Sequence, residues 1–438
     1  MEPNVSTPSQ IMHVAIVGAG IGGLTCTIAC RRRNENLKVT VFERSAEVLP
    51  LGAGIHIPPN AGRVLAHLGL LEKVMKEGAG YQLDHFNLRR YENGHILAAK
   101  PVRERVTREY GAEWIATHRG DYQGVLLSEA KQLGAEIVTG AEVIDVEQSQ
   151  SSRQVVALKD GRRFEADVVI GADGLWSSLR EIVLGHPFSP TETGDLAYRG
   201  IFPRDKLLSL GNENINRIVE KLDIDVWLGP GKHAVFYPLR NKTEYNLILI
   251  VADDLAKGVK MAPSSLEEMV AYFNGWDPIL DKWTKGPIAL LGDATHPTLP
   301  YQGQGAAMAV EDGAVLGLLL AQSLEKGLPA DPVEKRDYLA ALLRLYQDLR
   351  KRRTETNVAG AVDTQHYYHL PDGEEQRQRD AELAVLAGDG WLGKCSFNWG
   401  DAEYQRSLLG FDVIADSKEK FEEWWVASQK AGANHGGF

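Results

Sequence analysis

The sequence predicts an α/β protein: a Rossmann-type dinucleotide-binding domain, an inserted antiparallel β-sheet domain and a C-terminal helical region. Three observations carry this reading. A GxGxxG follows a short apolar run and opens an apolar-periodic segment. The stretch 196–251 breaks into short alternating runs separated by Gly, Pro and charged residues. Buried-strand character then returns at Ile288–Leu291, ahead of a long helical pattern.

Taken in order, MHVAIV (Met12–Val17) leads into GAGIGG, then into the periodic segment Leu24–Arg33 and a second apolar run, Leu37–Glu43. The chain therefore starts as strand, glycine turn, helix, strand. Pro58-Pro59-Asn60 precedes a helix through His67, and Asn93-Gly94 supplies a hairpin signal. Tyr122–Leu133 reads as helix, Glu136–Thr139 and Glu142–Gln148 as strands, Asp160-Gly161 as a second hairpin and Ala166–Ile170 as a buried strand. The runs LAYRGIF, IDVWLG, AVFYPL and YNLILIV supply the antiparallel sheet, and Gly303–Gln322 a long helix. The expected division is a mobile leader over 1–10, a nucleotide fold over 11–180 and 287–335, a β-rich insertion over 181–286 and a helical part over 336–438.

Composition narrows the function classes. The 438 residues hold 48 Lys+Arg against 59 Asp+Glu, a net charge of −11, so no surplus of cations exists for nucleic acid or an anionic membrane surface. Three cysteines cannot make a disulfide framework and fit a reducing, cytoplasmic setting. The N-terminus lacks the basic region of a signal peptide, and no run reaches the roughly 18 apolar residues of a membrane span. The longest, Val310–Ser323, carries Glu311 and Asp312 at its start and reads as a buried helix. Glycine is in surplus, 44 residues or about a tenth of the chain, against roughly 7% on average.

Much of that glycine falls in three loops. In the first, Gly18 permits a tight turn, Gly20 lets backbone approach a pyrophosphate, and Gly23 lets helix pack on strand. Glu43, twenty residues after Gly23 at the end of the second strand, can accept hydrogen bonds from ribose hydroxyls. The second loop is Asp173-Gly174-Leu175-Trp176-Ser177-Ser178-Leu179-Arg180, and the third is Gly292-Asp293-Ala294-Thr295-His296-Pro297 running into Pro300–Gly305. Both put an aspartate and glycines at the C-terminal ends of strands, where open α/β sheets bind ligands.

The set GAGIGG…Glu43, DGLWSSLR and GDATHPTLPYQGQG, in that order and spacing, resembles the single-component FAD-dependent aromatic hydroxylases, above all the fungal salicylate-hydroxylase-like branch. The resemblance spans roughly residues 12–430. It implies FAD as cofactor, NADPH or NADH as electron donor without a Rossmann domain of its own, and O2 as co-substrate. It implies hydroxylation of a small phenolic or aromatic-acid substrate through a flavin C4a-hydroperoxide, by a monomer or homodimer. Carried over residue by residue, Gly18, Gly20 and Gly23 would hold the pyrophosphate and Glu43 the adenosine ribose. The loop through Gly54 and His56 would run along the cofactor. Arg119 would contact FAD, Asp173 would bind the cofactor, Asp293 would bond its ribityl or pyrophosphate region, and Gly305 and Ala306 would lie near the flavin ring. Arg199 and Tyr237 match the arginine and tyrosine with catalytic roles in related phenol hydroxylases. Arg199 could pair with a phenolate or carboxylate, and Tyr237 could hydrogen-bond substrate.

Other features read as structural. His296 orders its loop; His366 and His369, three apart, lack convergent ligands and form a solvated helix face rather than a metal site; Cys26 and Cys30 are small core residues. Relatives carry about thirty more residues before Trp283, so a shortened substrate sheet and an impaired flavin-binding protein stand as one alternative. A flavin dehydrogenase or oxidase without oxygen insertion is the other.

Overall fold

Met12–Val17 exposes only His13, because this strand lies inside a sheet covered on both faces. The computed structural model describes residues 10–48, 52–149, 151–188, 195–252, 283–388, 391 and 393–435, with side chains described as far as residue 429. The first sheet has the strand order Thr284–Lys285, Ile288–Leu290, Val168–Gly171, Met12–Val17, Leu37–Phe42, Glu136–Val138. All its pairs are parallel except the short edge pair of Thr284–Lys285 with Ile288–Leu290. The helix Ile21–Arg33 covers one face and is itself packed against the helix Gly305–Lys326. That second helix is apolar on nearly every side because the protein interior surrounds it, as expected from the sequence.

A second six-stranded sheet has the order Asp195–Pro203, Glu244–Ala252, Lys232–Leu239, Ile224–Gly229, His85–Arg90, Ile96–Pro101. The Asn93-Gly94 turn closes the last pair, with Gly94 at φ 71. Two strands of this sheet therefore come from the segment before the second glycine loop, and His85–Arg90 pairs in parallel with Ile224–Gly229. The chain therefore visits the second sheet twice, where a single insertion over 181–286 requires one visit.

Register decides which side chains share a face. Arg199 lies opposite Ile248, which lies opposite Val235; Tyr237 lies opposite Asn246, which lies opposite Ile201. Directly opposed residues point to one side and side chains alternate along each strand. Arg199, Tyr237, His233, Ile248 and Ile250 thus occupy one face.

The helix Pro332–Tyr368, capped by Asp331, joins the two sheets. Near its middle the Tyr346 hydroxyl donates to Leu290 O (3.0 Å), and past its end His369 O accepts from Gly231 N–H (3.0 Å). Trp391 and Trp399 anchor the C-terminal region in the core under the second sheet, and Cys26 and Cys30 are buried as expected. Of the leader only Gln10 is described, and it exchanges two hydrogen bonds with Leu328 rather than trailing free. The shortened join before Trp283 lies outside the described residues.

Candidate cofactor and substrate site

The three glycines of the first loop differ in their surroundings. Gly18 sits at φ +108, and a Cβ there would stand 2.3 Å from Ala172 O; one at Gly23 would stand 2.2 Å from Gly18 O. Neither position tolerates a side chain. Gly20 is different: nothing lies within 4 Å of where its Cβ would be. It is the N-cap of Ile21–Arg33, whose first turn carries no acidic residue and no side-chain cap. The helix therefore presents unsatisfied N–H groups and its positive dipole end to open space, which suits an anion. This cradle fits the pyrophosphate of a dinucleotide.

Two side chains brace the loop. Glu43 accepts from Ala19 N–H (3.0 Å) and Ser45 N–H (3.0 Å), so its carboxylate stands at the mouth of the cradle. The Gln123 amide donates to Ala19 O (2.8 Å). Gln123 comes from Arg119–Gln132, a helix capped by His118, whose Nδ1 accepts from Gly120 N–H (3.2 Å). At the head of that helix Arg119 is exposed, its backbone N–H donates to Ala53 O (2.9 Å), and its side chain lies against Gly52. One helix thus brings Arg119, the first glycine loop and the Gly52–His56 loop together.

The second and third loops are tied by Arg180, to which the sequence reading gave no role. Its buried guanidinium donates to the carbonyls of Ala294 (2.7 Å), Asp293 and Leu175 (3.2 Å). The Asp173 carboxylate is committed within its own loop, accepting from the Ser177 hydroxyl (2.6 Å), the Ser178 hydroxyl (3.3 Å) and Leu179 N–H (3.2 Å). Its backbone abuts Gly18, so it lies beside the cradle with its side chain already occupied. Asp293, by contrast, is exposed at the end of its strand.

Beneath the third loop is a buried ionic network. Asp312 Oδ2 accepts from Gly292 N–H (3.0 Å) and lies 2.6 Å from His296 Nε2, while its Oδ1 accepts from Arg350 Nε (2.7 Å). Arg350 Nη2 stands 2.7 Å from Glu311 Oε2, an ion contact without hydrogen-bond alignment. Glu311 also accepts from Arg353 and from Asn60 (2.9 Å), and Asn60 reaches Gln304 (3.2 Å) at the head of the Gly305–Lys326 helix. Burial alone would raise both acids, but Arg353 and Arg350 hold Glu311 down to about 2, and His296 and Arg350 do the same for Asp312. Glu311 and Asp312, at the start of the apolar run, lie inside the helix and fasten the loops at its N-terminus.

The second sheet closes over these loops. A Cβ at Gly54 would stand 2.4 Å from the Tyr237 hydroxyl, and Gly54 N–H points to Asn246 Oδ1 (3.4 Å). The His56 ring lies 4.4 Å from Tyr237, and Gly303 lies beside His56 Nδ1. Burial holds His56 down to about 4, a neutral imidazole, and its Nε2 has no hydrogen-bond partner among the described residues. Burial pushes the Tyr237 phenol up while Arg199 and Asn246 pull it down; the net is upward, so it stays a neutral donor. Arg199 is exposed on the same sheet face. Further along that face His233, absent from the sequence-based candidates, packs 5.0 Å from the ring of Tyr301 in the third loop.

A dipole-facing glycine cradle, a carboxylate at its mouth and a sheet face closed over the same loops suit a dinucleotide-binding oxidoreductase of the flavoprotein type. The FAD binding domain family matches residues 12–221 and 239–331, and the chain belongs to that family. It is 34% identical over 432 residues to the FAD-dependent monooxygenase OpS4 of Beauveria bassiana (strain ARSEF 2860), covering 92% of this chain and 96% of the relative. It is 31% identical to 6-hydroxynicotinate 3-monooxygenase of Pseudomonas fluorescens, covering 71% and 83%. Among solved structures, a salicylate hydroxylase substrate complex shares the fold, with a TM-score of 0.70 at 21% identity over 94% of this chain and 98% of that one. The chain is an FAD-dependent monooxygenase, and a flavin enzyme without oxygen insertion is not favoured.

Proposed function

We propose that this monooxygenase hydroxylates a small phenolic or aromatic-acid substrate, using NADPH or NADH and O2, in a cytoplasmic setting. One observation carries the reading: the sheet face bearing Arg199 and Tyr237 packs directly on Gly54 and His56, beside the third loop. The relatives support it, since one of them acts on a hydroxylated aromatic acid by its name.

In this reading Gly18, Gly20 and Gly23 hold the FAD pyrophosphate, Glu43 the ribose, and Arg119 and Asp293 flank the cofactor, with Asp173 bracing the loop beside it. Gly54 and His56 line its edge, and the amides of Gly305 and Ala306 face the flavin ring, where N–H groups favour negative charge. Bound FAD supplies hydride acceptance from NAD(P)H and activation of O2. The chain's residues do the rest. Arg199 attracts the carboxylate or phenolate of the substrate, Tyr237 donates a hydrogen bond from its neutral phenol, and the apolar face around Ile248 excludes water.

The purified protein should be yellow and should oxidise NAD(P)H faster with one member of a panel of hydroxybenzoates and hydroxynicotinates. Under 18O2 the product should gain one labelled oxygen, and Arg199→Ala should raise KM or lower kcat for that acid. Hydrogen peroxide as the sole product across the whole panel would sink the hydroxylase reading.

A further inference from the structure

The helices Ile21–Arg33 and Gly305–Lys326 run side by side in the same direction. A Cβ on Gly22 would meet Ala309, one on Gly313 would meet Cys26 and one on Gly317 would meet Ala29, so the contacts advance together along both. Their heads, at Gly20 and Gly305, therefore lie at one end. Ala29 and Ala314 each stand nine residues further along, a distance of roughly 14 Å at about 1.5 Å per residue. There the two helices wall a cavity of about 220 Å³. Its floor is apolar and buried, formed by Ala29, Leu68, Ala314, Leu318 and Ile414, the last from the helix Val413–His435. A cavity of about 150 Å³ lined by such side chains admits benzene, so this one has room for a ring and a carboxylate beside it.

The rim is cationic. Arg32, Arg33 and His67 complete the lining, and all three are exposed. Glu129 accepts from Arg32 (2.5 Å) and also from Lys73, so one carboxylate answers two cations. Arg33 meets Glu325 in an exposed pair (3.2 Å), a contact that costs little to rearrange. His67 makes no hydrogen bond among the described residues. The charged groups facing it are Lys418, Asp412 and Arg33, and the Asp412 carboxylate is committed to the amides of Ile414 (3.1 Å) and Ala415 (3.0 Å). Burial lowers the His67 imidazole, and Lys418 and Arg33 lower it further against the opposing pull of Asp412. The ring thus lies in a field that favours anions.

We propose that this cavity is a second binding site, apart from the glycine loops and the substrate sheet, for a small aromatic carboxylate. The ring enters between the helices, and the carboxylate meets Arg33 and His67. Floor and rim together select this class. An inorganic anion gains nothing from the apolar floor, and a neutral ring gains nothing from the cations. The site needs neither NAD(P)H nor turnover, so it does not rest on the hydroxylase reading.

The probe is 4-fluorobenzoate, titrated into histidine-labelled, FAD-loaded protein without NAD(P)H and followed by 19F and 1H–15N NMR. The His67 ring signals should shift saturably, with a dissociation constant of about 1 mM or below at low salt. The His67 pKa should rise on binding, because a carboxylate beside the ring favours the imidazolium. Affinity should therefore increase as pH falls from about 8 to 6, and should decrease with added salt. Arg33→Glu, on the exposed rim and outside the cofactor and substrate residues, should weaken the site about tenfold or more. Methyl 4-fluorobenzoate, which keeps the ring and lacks the charge, should bind about tenfold more weakly or worse, and acetate, which lacks the ring, should leave His67 unmoved at the same concentrations.

A 19F line that broadens while His67 stays still up to about 10 mM probe puts the carboxylate elsewhere and overturns the proposal. Unchanged affinity in Arg33→Glu, or acetate as effective as the probe, overturns it too. A protein that hydroxylates no panel acid yet shifts His67 refutes the hydroxylase reading and upholds this site; one that hydroxylates an acid with His67 unmoved does the reverse.

Discussion

Replacing Arg350 by Met should loosen the third glycine loop from below. Arg350 is fully buried, with Nε 2.7 Å from Asp312 Oδ1 and Nη2 2.7 Å from Glu311 Oε2, and both carboxylates are fully buried too. Without it, two buried acids share Arg353, His296 and Asn60. Removing one member of a buried ion pair costs about 3–5 kcal/mol, chiefly because the remaining charge is left uncompensated. The sign with pH follows from the lowered acids. Their folded values near 2 lie below the roughly 4 of an unfolded chain, so their stabilisation is complete above about pH 5 and is lost as pH falls towards 2. The gap between wild type and variant should be widest at neutral pH and narrow in acid. Denaturant unfolding of the FAD-loaded proteins measures it, and flavin fluorescence on heating reports release of the cofactor. Because Asp312 also holds Gly292 N–H and His296, flavin release should come at lower temperature in the variant. Adding Asp312→Asn should recover part of the loss, since one buried charge goes with its partner. A variant within about 1 kcal/mol of wild type at pH 7, or a double variant no better than the single, would refute the argument.

Three further outcomes separate folding from cofactor binding. Gly20→Ala should leave the unfolding midpoint of the FAD-free protein unchanged yet weaken FAD about tenfold or more, because the open space above Gly20 is where phosphate would lie; Gly23→Ala should destabilise the fold itself, its Cβ meeting Gly18 O. Glu43→Ala leaves Ala19 N–H without its acceptor and removes the carboxylate proposed to hold the ribose, so FAD affinity by fluorescence titration should fall about tenfold to a hundredfold, or roughly 1–3 kcal/mol. Lys100 is buried, donates to Gln405 and is pushed down to about 7 by burial and by Arg105. The unfolded chain binds the proton more tightly between about pH 7 and 10.5, so wild-type stability should rise across that window by at most about 1.4 kcal/mol per pH unit. Lys100→Met should be more stable than wild type at pH 7 by a margin that shrinks at pH 9; a constant margin in denaturant midpoints would show that the amine is not the cause.

What the sequence revealed and what it hid differ in range. Gly18, Gly20 and Gly23 were legible because a turn, an open approach and a helix-to-strand contact are local demands, each met within six residues. The strands were legible by alternation, yet the membership of His85–Pro101 in the second sheet was not, since a parallel pairing with Ile224–Gly229 leaves no trace in either segment. His233 sits in KHAVFYPL as one more alternating position, and only its hydrogen bond with His369 marks it. That partner was visible as half of a His366/His369 pair. The solvated-face reading holds for His366, which is exposed, and fails for His369 because the helix ends there against the strand. Glu311 and Asp312 carried a usable signal. Two acids within the most apolar stretch of the chain can be buried only with cations brought to them. The Arg350–Arg353 run, on a helix otherwise rich in buried Leu, Ala and Tyr, was the place to look for those cations. A balance of buried charge on that apolar helix links the C-terminal region to the glycine loops from the sequence alone.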